Sequence, residues 1–107
     1  MKSPMAFWVY ILRCRDGAYY VGHTDDLDQR MAQHQSGEIG GYTAKRLPVQ
    51  LVYSQDFSTR DEAFAAERQL KGWTRAKKEA LIRGDWPELR RLARGRTQGG
   101  YPSTSSG

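Results

Sequence analysis

The chain has 107 residues, 38% of them apolar and 27% charged, and 17 Lys+Arg against 12 Asp+Glu give a formal net charge of +5. That is the length of one domain with one modest core, and no apolar run approaches the ~18 residues of a membrane-spanning helix. A single cysteine, Cys14, excludes an internal disulfide and a cysteine-based zinc site, so a cytoplasmic protein is the default expectation.

Residues 5–12 are apolar but lack a small-residue cleavage site and continue into Arg13, unlike a signal peptide. Residues 7–14, with β-branched and aromatic members, read as a buried strand that ends on Cys14 as a small core residue. Asp16-Gly17 marks a turn and residues 18–22 a second strand, so the two form an antiparallel hairpin. Thr24, Asp25 and Asp26 offer capping oxygens and first-turn negative charge for a helix to about Gln35. Leu27 and Met31 lie one turn apart in it, and Gly37 ends it. Residues 38–47 read as a Gly-rich polar loop carrying Tyr42, Lys45 and Arg46. After Pro48, alternation over residues 49–57 predicts a third strand.

Thr59-Arg60-Asp61-Glu62 is a capping box, and it opens a helix to about Leu70 whose apolar face is Ala63, Ala66 and Leu70. Trp73-Thr74 restarts a short basic helix over residues 75–83, closed by Gly84, and Asp85 caps a last helix to about Arg94. Trp73 and Trp86 are expected to pack under these helices. Residues 95–107, rich in Gly, Ser and Thr, are expected to be disordered, which leaves residues 5–94 as a single domain. The order ββαβααα predicts an α+β fold, a three-stranded antiparallel sheet packed with helices.

Charge is uneven along the chain. Residues 1–66 hold seven Lys+Arg and eight Asp+Glu, a net of −1, whereas residues 67–107 hold ten and four, a net of +6. A basic half on a small domain points to a polyanionic partner, most often nucleic acid. It is also what a helix surface kept soluble by Lys and Arg looks like.

Two tyrosines ten residues apart carry matching phrases on adjacent strands, Trp8-Val9-Tyr10 and Tyr20-Val21-Gly22. Arg30 and His34 lie four apart and share a helix face. Glu67 falls between Ala63 and Leu70 on an apolar face, where a carboxylate must be paired, hydrogen-bonded or bound to a cation. Taken singly, each tyrosine also reads as a core aromatic, and Arg30 with His34 as a solvated face. Glu67 divides between a ligand and a buried ion pair, with Arg30 as its partner.

The order and spacing of Val9-Tyr10-Ile11, Tyr20-Val21-Gly22-His23-Thr24, Arg30, His34 and Glu67 resemble the GIY-YIG nucleases, in particular their small stand-alone bacterial members. Tyr42-Thr43, residues 48–53 and residues 71–81 look like the same subgroup, so the resemblance covers about residues 7–82. It implies a metal-dependent endonuclease that hydrolyses phosphodiester bonds in DNA, with a role in repair or processing. A single Mg²⁺ or Mn²⁺ would be held by Glu67, polarising the phosphoryl oxygen and stabilising the leaving 3′-oxygen. Arg30 would bind the scissile phosphate. Tyr10 and Tyr20 would line the site, one of them taking a proton from the attacking water, its pKa lowered by Arg30, His23 and the metal. His34 would orient water or a tyrosine, and His23, where relatives often carry lysine, would add a titratable charge. Two departures stand out. Trp8 replaces the glycine of the first motif, and the chain has no asparagine for the polar amide many members carry late in the domain, Gln69 being the only glutamine in that region.

Lys45, Arg46, Lys71, Arg75, Lys77 and Lys78 are candidate phosphate contacts flanking the site, each alternatively a solvated surface cation. Nothing resembles a base-reading helix or zinc module, so little sequence specificity is expected, with a preference for a DNA structure such as a flap, a branch or a single strand. The competing reading is a nucleic-acid-binding module of the same fold with weak or no turnover. A third is a structural or interaction protein in which Glu67 only pairs Arg30.

Overall fold

Strands β1 (Phe7–Cys14), β2 (Tyr19–Thr24) and β3 (Val49–Phe57) form one antiparallel sheet in the order β2-β1-β3 in the computed structural model, which describes residues 6–39 and 41–97. The central place of β1 explains its sequence. A strand covered on both faces reads as a continuous apolar run rather than an alternation, and Val9, Tyr10, Ile11 and Leu12 are all 1% exposed or less. The pleat sends Tyr10, Leu12 and Cys14 to one face and Val9 and Ile11 to the other. In register, Tyr10 lies opposite Gly22 and Leu12 opposite Tyr20, while Val9 lies opposite His23. The β1–β3 pairing carries an irregularity between Ile11 and Leu12.

The β1–β2 turn is built as its residues dictate. Gly17 takes a φ of 89°, which a side chain would resist, and the Asp16 carboxylate accepts the Ala18 N–H at 3.1 Å. Helix α1 (Leu27–Ser36) starts on Asp26, whose side chain accepts the Gln29 N–H, and stops at Gly37 with φ 83°. The segment expected to be a plain loop contains a helical turn, α2 (Gly41–Ala44), which carries buried Thr43. Its reason is polar: Thr43 reaches a histidine of α1, and a single turn is enough to point it there.

Helix α3 (Arg60–Lys71) opens with the expected reciprocal box, the Thr59 N–H donating to Glu62 and the Glu62 N–H to Thr59. It packs on β1 and β2. The opposite face of the sheet carries the core of Tyr10, Leu12, Cys14 and Val49, against which Tyr20, Leu27, Met31 and Leu47 pack. Cys14 is a buried free thiol, as a small core residue should be.

The described residues divide into two compact units, one ending at Lys71 and one starting at Gly72. The second holds α4 (Arg75–Arg83), capped by Thr74 and closed by Gly84, and α5 (Trp86–Thr97), which pack on each other. Helix α5 runs past Arg94 to Thr97, so residues 95–97 are helical rather than part of a disordered tail. Residues 98–107, the rest of the expected tail, lie outside the described residues. Trp86 is 52% exposed and does not pack under the last helices as expected. The fold is α+β, a three-stranded antiparallel sheet with helices, and among the described residues no helix is long and apolar enough to cross a membrane.

Candidate active site

One cluster is built on the sheet face that meets α1. Tyr10 on β1 points its hydroxyl to His34 Nε2 at 2.9 Å, and the other ring nitrogen, Nδ1, meets Thr43 Oγ1 at 3.0 Å. All three residues are buried, His34 completely. Arg30, one turn before His34 on α1, lies close enough for its charge to favour the ionised Tyr10 phenol. Both hydroxyls can donate or accept, so the chain Tyr10–His34–Thr43 satisfies both ring nitrogens of the imidazole.

Tyr20 completes the cluster on β2. Its ring centroid lies 6.4 Å from that of Tyr10 and 5.2 Å from His34, edge-on to the imidazole. The Tyr42 ring stacks against Tyr20 at 6.2 Å, and the Arg46 guanidinium sits 3.9 Å from the Tyr42 centroid. Gly22 leaves the room for this arrangement: a Cβ there would fall 2.6 Å from the Tyr10 hydroxyl oxygen and 2.7 Å from its Cζ.

The second cluster lies where α3 covers β2. Because His23 pairs with Val9, its ring points to the other face from Tyr10, toward α3. There its Nδ1 hydrogen-bonds Glu67 Oε1, and its ring meets the edge of Phe64 with centroids 5.5 Å apart. The second carboxylate oxygen, Oε2, takes the Lys71 ammonium at 2.6 Å, one helical turn on. Glu67 is 7% exposed, the buried acid its position on an apolar face demanded. Its partners are Lys71 and His23, and not Arg30, the partner weighed from sequence.

The charges couple the two clusters. Burial raises the Tyr10 phenol most, Tyr20 and Glu67 add to that, and Arg30 offsets part of it, leaving a pKa pushed up to about 12. At Tyr10 desolvation outweighs the one guanidinium beside it. Burial lowers His34, with Arg30 reinforcing, so its imidazole is neutral. Burial pushes the Glu67 carboxyl up, but hydrogen bonds from Lys71 and His23 outweigh it and hold the group below the usual carboxylate value. Lys71 is raised by Glu67, with a contribution from Tyr20.

The remaining expected phosphate contacts are placed as follows. Lys45 is exposed just after α2. Arg46 donates from Nε to Asp16 and from Nη1 to the Tyr42 carbonyl, each at 3.0 Å, so its cation is committed to holding the loop. In the second unit, Arg75 pairs with Glu79 at 3.0 Å, Lys77 lies 4.7 Å from the Trp73 ring centroid, and half-buried Lys78 has its ammonium lowered by burial and by Arg75. Gln69, the one amide near the site in sequence, is exposed on α3.

For a cation, the donor set is a single buried carboxylate. Among the described residues no three His, Cys, Asp or Glu side chains come together, which argues against a closed zinc-type site. One carboxylate fits Mg²⁺ or Mn²⁺, which complete their shells with water and substrate phosphate oxygens. Three contributors were not singled out from sequence: Thr43 behind His34, Phe64 beside His23, and Lys71 as the counter-charge of Glu67. The last was legible, since Glu67 and Lys71 are spaced i, i+4 in the favoured Glu-to-Lys order; Thr43 and Phe64 leave no such signal.

The sequence profile of the GIY-YIG catalytic domain matches residues 6–80. A UPF0213 protein of Streptococcus pneumoniae is 47% identical over 75 residues, which cover 70% of this chain and 76% of that one. A UPF0213 protein of Lacticaseibacillus paracasei is 42% identical over 88 residues, 82% of this chain and 99% of that one. Among solved structures, the solution NMR structure of protein EF2693 from E. faecalis is similar with a TM-score of 0.55 at 35% identity, covering 78% of this chain and 90% of that one.

Proposed function

We propose that this chain, which belongs to the GIY-YIG catalytic-domain family with the small UPF0213 proteins as its relatives, is a metal-dependent DNA endonuclease that hydrolyses phosphodiester bonds with little sequence specificity. The family implies a nuclease superfamily and a nucleic-acid substrate, and its nucleases generally use a divalent metal ion. The observation that carries the reading is Glu67, a buried carboxylate on α3 whose charge is balanced by an ammonium that half reaches solvent and whose field is felt at Tyr10.

Glu67 would hold a Mg²⁺ or Mn²⁺, with His23 fixing the carboxylate's orientation from behind. When bound, that ion supplies positive charge to the scissile phosphoryl oxygen and the leaving 3′-oxygen. Arg30, on the helix face that carries His34, offers its N–H donors to the phosphate and offsets the charge that grows there. Of the two motif tyrosines, Tyr20 is the one to take the proton from the attacking water. It is half-buried, whereas Tyr10 is fully buried with its hydroxyl held at His34 Nε2 and its pKa pushed up to about 12. Tyr10, His34 and Thr43 then act as positioning residues that form the floor under Tyr20. The cations Lys45 in the first unit and Arg75, Lys77 and Lys78 in the second contribute backbone contacts that carry no sequence information. A flap, branch or single strand, in which a strand can lie along the site, suits a chain without a base-reading module. A role in DNA repair or processing in the cytoplasm follows from that substrate.

One observation favours a second reading. Both Glu67 oxygens already have donors, as in a binding module that keeps the fold without turnover. Incubating the protein with duplex, flap, branched and single-stranded DNA in Mg²⁺, Mn²⁺ or EDTA, beside Glu67→Ala, separates the two. Metal-dependent nicking that disappears in EDTA and in the variant is expected. Salt-sensitive binding with no cleavage under any metal contradicts the enzyme and leaves the binding module.

A further inference from the structure

The Glu67–Lys71 pair is unequal in a way that bears on how a cation reaches the site. Glu67 is held: its side chain is 10% exposed, and Oε1 is fixed by His23 Nδ1 on the neighbouring strand. Lys71 is not held from any other side by a hydrogen bond or ion pair among those described, its side chain is 56% exposed, and its Nζ reaches Oε2 at 2.6 Å from one turn further along the same helix. A strongly hydrated ammonium on a flexible stem gives up such a contact to water with little penalty. The carboxylate cannot follow it out, because it is anchored on β2 through His23.

Resting on the reading of Glu67 as a metal ligand, we infer that Lys71 is a tethered counter-cation that occupies the metal's place on Glu67 Oε2 and must be displaced when the metal binds. Two cations cannot share one carboxylate oxygen at ~3 Å without strong repulsion. Of the two donors on Glu67, His23 is compatible with a metal on the opposite oxygen, as a group that orients the ligand; the ammonium is not. The pairing is preorganised by the helix, since Glu followed by Lys at i, i+4 is the favoured order. Lys71 therefore does two things. It spares the fold an uncompensated buried carboxylate while no metal is bound, and it sets a threshold of metal concentration below which the site stays closed.

The test is Mn²⁺ binding to the full chain without DNA, followed by the electron paramagnetic resonance signal of free Mn²⁺, in wild type, Lys71→Gln, Lys71→Arg and Glu67→Gln. Lys71→Gln keeps a hydrogen-bond donor and removes the charge, and it should bind Mn²⁺ about five- to tenfold tighter than wild type. Lys71→Arg, whose guanidinium grips a carboxylate with two donors, should bind several-fold more weakly. A residue that merely stabilised α3 would not move affinity in opposite directions in the two variants. Equal, Glu67-dependent affinity in wild type and both Lys71 variants overturns the inference and leaves the metal reading standing. No Glu67-dependent binding in any of them overturns both. If Lys71→Gln does not fold, the comparison of Lys71→Arg with wild type decides: weaker binding supports the inference, and equal or tighter binding overturns it.

Discussion

The Tyr10 hydroxyl lies 2.9 Å from His34 Nε2, and neither side chain reaches solvent. The first motif tyrosine is thus locked into the core by a histidine that is itself held by Thr43. Its burial has a consequence at alkaline pH. An unfolded tyrosine ionises near pH 10, the native one at about 12. The raised native value means that the unfolded chain loses the proton first, so this contribution is complete below pH 10 and is lost as pH rises from 10 to 12, to the extent of about 2–3 kcal/mol. Denaturant unfolding between pH 8.5 and 11.5 should show this loss in wild type and less of it in Tyr10→Phe, whose own cost at neutral pH, about 1–2 kcal/mol, comes from leaving His34 without its partner.

His34 gives the complementary dependence at acid pH. Its native pKa lies below that of a free histidine because burial, and then Arg30, disfavour the charged ring. The unfolded chain therefore binds a proton that the native state refuses, so stability present above about pH 6.5 declines as pH falls below it. The imidazole proton resonances of His34 should stay at their neutral positions at pH values where a free histidine is half protonated. A normal titration curve for His34 would contradict the buried Tyr10–His34–Thr43 chain.

Gly22 is required for space rather than for an unusual backbone angle. A methyl at this position would lie 2.6 Å from the Tyr10 hydroxyl, 2.7 Å from its Cζ and 3.2 Å from Tyr20 Cε2, and both rings are packed against His34. Gly22→Ala is expected to destabilise the fold by about 1–3 kcal/mol, the range for an overpacked core. Cleavage should fall further than stability explains, because the rings that must move are the two motif tyrosines, Tyr20 among them. Thermal unfolding and cleavage measured on the same preparation check both parts.

Binding to DNA should separate the exposed cations from Arg46. Replacing exposed Lys45 with Ala is expected to weaken binding uniformly across DNA sequences, with the slope of log affinity against log salt falling by about 1. Arg46→Ala should act chiefly on stability, since its guanidinium bridges Asp16 and the Tyr42 carbonyl and covers the Tyr42 ring.

Much of this was legible in the residues. The Asp26 and Thr59–Glu62 caps and the stop at Gly37 are local chemistry, and they appear where the residues place them. The bounds of β3 match those expected, but its burial does not alternate, and Leu51 is exposed. The pairing of Glu67 was legible only in kind. Its apolar face demanded a partner, but whether that partner was Arg30 or Lys71 depended on which way α1 and α3 face the sheet, and only the tertiary fold decides that. The helical turn at Tyr42-Thr43 was hidden because its driving force is one buried hydrogen bond to His34, nine residues back. The depth of Tyr10 was legible only in part: the apolar run of β1 marked a buried strand, but the weight of that burial on the phenol comes from the tertiary fold.

The central claim, that Glu67 carries a metal-dependent phosphodiester hydrolysis, is tested most directly by single-turnover cleavage of a flap or single-stranded DNA at saturating Mn²⁺ by Glu67→Gln. This variant keeps the side chain's shape and its ability to accept from His23 while removing the charge. The account predicts a fall of at least about 10²–10³-fold with binding to DNA retained, the scale on which a single group stabilising transition-state charge contributes. Cleavage by Glu67→Gln at the wild-type rate, or wild-type cleavage undiminished by EDTA, would contradict it.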